Sequence, residues 1–92
     1  MQKGSLLLVD DDRGVLESMA SWLRDQEFAV LEAASRREAE KCLECQPIDL
    51  VLCDIRLPDG DGFDLLEYSH QCQQPMSVIL MTGYATVETG IE

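Results

Sequence analysis

Basic residues are scarce in this chain. Seven lysines and arginines stand against eighteen aspartates and glutamates, giving a formal net charge of −11. That balance excludes a domain that holds a nucleic-acid backbone by itself, because such binding rests on cationic contacts to phosphates. It favours cations and basic partners, with much of the acidic excess spread over solvated helix surface. Long hydrophobic runs are also missing. None approaches the ~20 residues of a membrane-spanning helix. The amino terminus passes straight into a short apolar run and three aspartates, which is not a secretory leader. Low-complexity segments and internal repeats beyond a β–α alternation are absent. The cysteines form no recognisable metal pattern. Cys42 and Cys45 are spaced C-x-x-C inside a helical stretch, Cys53 lies in an apolar run, and Cys72 with His70 matches no zinc spacing. Unpaired thiols without a leader point to the reducing cytosol.

What is present is enough for one domain, residues 1–92, with one core. A chain of this length buries roughly 60–65% of its unfolded surface. Residues 5–9, Ser-Leu-Leu-Leu-Val, are continuously apolar, as in a strand covered on both faces. They end at Asp10-Asp11-Asp12, where Asp12 is placed to cap a helix carrying Val15, Leu16, Met19, Ala20 and Leu23. Trp22 sits beside that stripe. Residues 28–33 are β-prone, and Glu32 among them marks an edge strand. Ser35-Arg36-Arg37-Glu38 has the form of a capping box. The second helix then presents Ala39, Cys42 and Leu43 until Pro47 stops it. Residues 49–53 form a third strand that ends at Asp54. Pro58 and Gly60 fall in the following loop, and Asp61 is placed to cap a helix carrying Phe63, Leu65, Leu66 and Tyr68. Residues 77–81, Ser-Val-Ile-Leu-Met, are a fourth buried strand ending at Thr82-Gly83, and another helix is predicted from about Ala85.

This order predicts an α/β fold, a doubly wound parallel sheet with right-handed crossovers and helices on both faces. In the flavodoxin-like order, 2-1-3-4, the first and third strands are neighbours at the switch point. Asp10–Asp12, Asp54 and Thr82 each follow the carboxyl end of a buried strand, so the topology gathers them at one sheet edge. Singly, each has a plain structural reading: a helix cap, a turn initiator, a strand-to-loop hydroxyl. Together they form a pattern. Converging carboxylates repel one another and must gain protons or recruit a cation. Mg²⁺ takes oxygen ligands, and needs only one or two carboxylates plus phosphate oxygens. Asp54 is then placed to attack phosphorus in line, with the Thr82 hydroxyl offered to a phosphoryl oxygen.

The chain resembles a response-regulator receiver domain of two-component signalling. The resemblance is carried by Leu6-Leu7-Leu8-Val9-Asp10-Asp11-Asp12, by Asp54-Ile55-Arg56-Leu57-Pro58-Asp59-Gly60-Asp61-Gly62, and by Ile79-Leu80-Met81-Thr82-Gly83-Tyr84-Ala85. The wording is most similar to receivers of enhancer-binding transcription activators of the nitrogen-regulation type. The resemblance implies phosphoryl transfer to Asp54 from a histidine kinase or phosphotransfer protein. It implies Mg²⁺ held by Asp11, Asp54 and the backbone carbonyl of Arg56, with Asp10 orienting through water. A slip of one in the acidic pair would use Asp11 and Asp12. It also implies Thr82 as the switch residue, a cytoplasmic location, and an output domain, DNA-binding in this type, outside the chain.

The family continues into a fifth strand and helix and carries a lysine that pairs with the phosphoryl group. Lys3 and Lys41 do not stand at a matching position. The resemblance therefore implies a receiver incomplete at its carboxyl end, with the fourth strand as an exposed apolar edge. Self-association through that strand and residues 83–92 is the expectation. Two rival readings remain open. One is a non-catalytic receiver-fold dimerisation module. The other is a magnesium-dependent phosphohydrolase with an aspartyl intermediate. Such an enzyme wants a second acid two residues after its nucleophile, where this chain has Arg56.

Overall fold

A sheet built on β1 (Ser5–Val9) holds the molecule together, in a computed structural model that describes residues 3–54, 56–71, 76–81 and 86–89. Leu6, Leu7, Leu8 and Val9 are all buried, so neither face of β1 meets water. Successive side chains of a strand point to opposite faces. Leu6 and Leu8 accordingly join one core cluster, and Leu7 and Val9 join the other.

Four long strands run parallel: β2 (Ala29–Ala33), β1, β3 (Leu50–Asp54) and β6 (Ser77–Met81). This is the 2-1-3-4 order expected from the sequence. Helix α1 (Arg13–Asp25) lies on one face and packs Leu16, Ala20 and Leu23 against Leu6, Leu8, Val30 and Ala34. The other face takes α2 (Arg36–Cys45) and α3 (Gly62–Gln71), with Ala39, Leu43 and Leu65 set on Leu7, Val51, Cys53, Val78 and Leu80. Because α1 is the only described helix on its face, an apolar groove of ≈ 350 Å³ opens between Ser18, Met19, Trp22, Leu23 and Leu52. Trp22 is 62% exposed there, and Phe63 of α3 is also exposed.

Local chemistry explains the element ends. Asp12 is the N-cap of α1, accepting from Gly14 N at 2.9 Å and Val15 N at 3.2 Å. Ser35 caps α2 by accepting from Glu38 N at 3.2 Å. Glu38 reaches back to Ala34 N at 3.3 Å, one residue before the position a reciprocal capping box would use. Glu32 is exposed on edge strand β2 and pairs with Arg24 at 3.2 Å.

Two expectations at the carboxyl end are corrected. The helix predicted from about Ala85 is not there: Thr86–Thr89 form a strand, β7, antiparallel to β6. Thr86, Val87 and Thr89 are β-branched, stiff at χ1 and better suited to a pleated strand than to a helix. The fourth long strand is consequently not an exposed apolar edge. β6 is paired on both sides, with Val78 opposite Thr89 and Leu80 opposite Val87. The edge passes to β7, which is only four residues long, and a short edge strand resists pairing with another chain. Self-association by pairing on a free β6 thus loses its structural premise. Among the described residues there is no further parallel strand and no later helix.

Candidate functional site

The site grows from strand register. In the β1–β3 pair Val9 lies opposite Cys53. The next residue of each strand is an aspartate, so Asp10 and Asp54 emerge side by side. Asp11 follows in the turn to α1. One carboxylate oxygen from each of Asp10, Asp11 and Asp54 lies within 4.8 Å of the others. Among the described residues this is the group of acids, thiols and imidazoles close enough to share an ion. Asp10 and Asp54 are half-buried, and Asp11 is exposed.

The electrostatics follow from that crowding. Burial pushes the Asp10 carboxyl above the usual aspartate range, and the charges of Asp54, Asp11 and Asp12 push the same way. The Asp12 N–H, which donates to Asp10 Oδ1 at 2.9 Å, works against them. Hard carboxylate oxygens converging from two strand ends fit a small divalent cation such as Mg²⁺. The donor set contains neither nitrogen nor sulfur, so it does not fit zinc in a structural role.

Asp12 stands apart from the cluster. Its carboxylate is engaged on the first turn of α1. Asp12→Ala is therefore expected to cost about 1 kcal/mol of stability through the lost cap. It is expected to change Mg²⁺ affinity far less than Asp11→Asn, as read by paired denaturation and metal titrations. The reverse ranking would move the acidic pair to Asp11 and Asp12.

After Asp54 the chain folds back as a small hairpin, β4 (Arg56–Leu57) and β5 (Gly60–Asp61), with Arg56 opposite Asp61 and Leu57 opposite Gly60. Leu57 is buried in the core under this hairpin, so the backbone of Arg56 is held beside a fixed anchor. Thr82 lies outside the described residues. Its chain neighbour Met81 is the register partner of Asp54.

The cysteines do not add a second site. Cys42 is half-buried, Cys45 exposed and Cys53 buried. Burial pushes the Cys42 thiol up, with smaller contributions from Cys45 and Glu38, which is the wrong direction for a reactive thiolate. Cys72 lies outside the described residues.

One residue escaped the sequence reading. The sequence puts Asp59 in the loop after Asp54, within the motif that carries the family resemblance, and assigns it no role. Its carboxylate accepts from Arg36 N at 2.7 Å and Arg37 N at 2.9 Å, across to the start of α2. Pro58-Asp59-Gly60 reads as a turn, but that local sequence does not point to partners 22 to 23 residues away.

The response regulator receiver domain family matches residues 6–92. The response regulator protein PilR of Pseudomonas aeruginosa is 34% identical over 92 residues, which are 100% of this chain and 21% of that protein. The transcriptional regulatory protein ZraR of Escherichia coli K12 is 36% identical over 87 residues, 95% of this chain and 20% of that protein. The chain thus spans about a fifth of the length of these relatives. Among solved structures, a CheY-like receiver domain protein from Methanospirillum hungatei aligns with a TM-score of 0.83 and 38% identity, covering 89% of this chain and 66% of that one. The beryllofluoride-activated NtrC4 receiver domain dimer aligns with a TM-score of 0.80 and 28% identity, covering 90% and 69%. That match is in keeping with the resemblance to receivers of the nitrogen-regulation type. No described helix is long and apolar enough to cross a membrane. The chain belongs to the response regulator receiver domain family, the input module of two-component response regulators.

Proposed function

We propose that this receiver is a phosphorylation switch in which Asp54 takes a phosphoryl group from a histidine kinase or phosphotransfer protein. The observation that carries the reading is the convergence of the Asp10, Asp11 and Asp54 carboxylates within 4.8 Å. Asp10, Asp11, Asp54 and the backbone carbonyl of Arg56 would hold Mg²⁺, which when bound offsets their charge and that of the incoming phosphate oxygens. A carboxylate oxygen of Asp54 attacks phosphorus in line. The bond from phosphorus to the donor's imidazole nitrogen breaks, and that nitrogen keeps the electron pair. Thr82 supplies its hydroxyl to a phosphoryl oxygen, and the pairing of Met81 with Asp54 supports that role.

The signal then passes through residues 82–92 to an output domain outside this chain. A ligand or covalent group shifts such an equilibrium only by the free energy with which it favours one state over the other. The names of the relatives, transcriptional regulatory proteins among them, support an output in transcription. The domain acts as a cytoplasmic signalling module, without turnover of its own and without direct contact to nucleic acid or membrane.

Magnesium gives the first test. Ligands that bind only the folded state stabilise it by mass action, by about 2.7 kcal/mol at a hundredfold excess over Kd. For a domain of this size that raises Tm by roughly 10–20 °C. A melting series in MgCl₂ against NaCl of equal ionic strength is expected to show the rise with magnesium alone. Equal curves would remove the metal site from the account. Multiple-turnover release of phosphate from small phosphoesters would instead favour the phosphohydrolase reading.

A further inference from the structure

The hairpin that follows Asp54 is tied to the rest of the fold at three points. Leu57 is buried in the core beneath the sheet. Gly60 is closely enclosed: a Cβ there would lie 2.9 Å from the Asp64 carboxylate and 3.1 Å from Arg36 Cδ. Asp59, at the turn, accepts from the N–H groups of both Arg36 and Arg37. These are two of the first four N–H groups of α2, which have no partner within the helix. Ser35 already serves a third, on Glu38. Helix α2 therefore has two caps of different kinds. Ser35 is its neighbour in sequence, whereas Asp59 belongs to the hairpin that carries Arg56.

This difference matters to the metal. Arg56 is opposite Asp61 in the hairpin, and Leu57 is opposite Gly60. A two-residue ladder of this length has little stiffness of its own. Its position depends on what holds the turn. Leu57 fixes one end from below, and the paired bonds of Asp59 fix the turn against α2. We propose that Asp59 is a positioning residue for the metal site: by clamping the hairpin to the first turn of α2, it holds the Arg56 carbonyl where Asp54 and Asp11 can share a cation with it. The inference rests on the reading of the acidic cluster as a Mg²⁺ site. Groups behind the direct ligands commonly set metal affinity by orienting those ligands.

The test is a Mg²⁺ titration of the 92-residue chain followed by amide NMR shifts, on wild type, Asp59→Ala, Asp59→Asn and Ser35→Ala. Asp59→Ala and Asp59→Asn remove the same charge, but asparagine keeps an acceptor oxygen. Any general loss of cation attraction is therefore common to both. Ser35→Ala removes a cap from the same helix without touching the hairpin. Asp59→Ala is expected to weaken Mg²⁺ binding about tenfold. Asp59→Asn is expected to weaken it by only about threefold, since one clamp bond can persist. Ser35→Ala is expected to lower Tm and leave the Mg²⁺ Kd unchanged. Equal Kd values for Asp59→Ala and wild type would overturn the proposal. So would equal weakening in the two Asp59 variants, which would trace the effect to charge, or equal weakening in Ser35→Ala, which would trace it to helix stability. If Asp59→Ala does not fold, Asp59→Asn set against Ser35→Ala decides: a weaker Kd in the former alone supports the clamp, and matching values overturn it. Absence of saturable binding in the wild type would instead overturn the metal reading itself.

Discussion

Asp54→Asn is expected to take up no acid-labile phosphate from acetyl phosphate and Mg²⁺ while keeping its fold. The substitution nearly preserves size and shape, so the packing of Cys53 beside it and the pairing with Met81 are retained. What it removes is the anionic oxygen that forms the new bond, and an amide is a poor nucleophile. The loss should therefore be complete, whereas a merely supporting residue would leave a reduced rate. A second consequence has the opposite sign. Asp54 adds to the crowding that holds the Asp10 carboxyl above its ordinary range. Removing one of three mutually repelling carboxylates should stabilise the metal-free domain by about 1 kcal/mol, given the screening at a half-exposed site. Denaturation without metal, run beside the phosphorylation assay, checks both. Retained acid-labile phosphate in Asp54→Asn would place the acceptor elsewhere.

Leu7→Ala is expected to bring the domain close to unfolding. Leu7 is completely buried in β1, between β2 and β3, and packs into the cluster of Val9, Val51, Cys53, Val78 and Leu80. Truncating such a residue costs about 2–5 kcal/mol, from lost transfer energy and from the cavity left behind. A domain's whole stability is roughly 5–15 kcal/mol, and small domains lie toward the bottom of that range. The urea midpoint should fall by about 1–5 M at an unchanged slope, for slopes of roughly 1–1.5 kcal/mol/M. A shift below about 0.5 M would mean that the β1 core is far less tightly packed than the complete burial of Leu7 implies.

The apolar runs explain why the sheet was legible. Leu6 to Val9 is a continuous hydrophobic stretch and is buried on both faces, whereas the similar run in β6 buries Val78 and Leu80 and leaves Ile79 and Met81 half-buried. Strand order followed from β–α alternation, and with it the meeting of Asp10 with Asp54. The capping residues Asp12 and Ser35 were legible because their partners are three residues away or fewer. Two features were not. β7 has only four residues, too few for its period to separate it from a helix, and its pairing with β6 is decided by the sheet edge available to it. Asp59 acts on α2 across a long stretch of chain, and a carboxylate in a Pro-Asp-Gly turn gives no local sign of a distant acceptor role. Register between neighbouring strands can be read from pattern, whereas contacts between a loop and a helix end depend on the folded shape.

The central claim is that the carboxylate at the end of β3 is the atom group that becomes phosphorylated. Borohydride reduces an acyl phosphate to the primary alcohol, so an aspartyl phosphate is trapped as homoserine. The chain should be incubated with acetyl phosphate and Mg²⁺, reduced, digested and mapped by mass spectrometry. The account predicts homoserine at position 54, dependent on both reagents, with Asp10, Asp11, Asp12 and Asp59 recovered as aspartate. Homoserine at any of those positions, or none at position 54 at saturating magnesium, would contradict it.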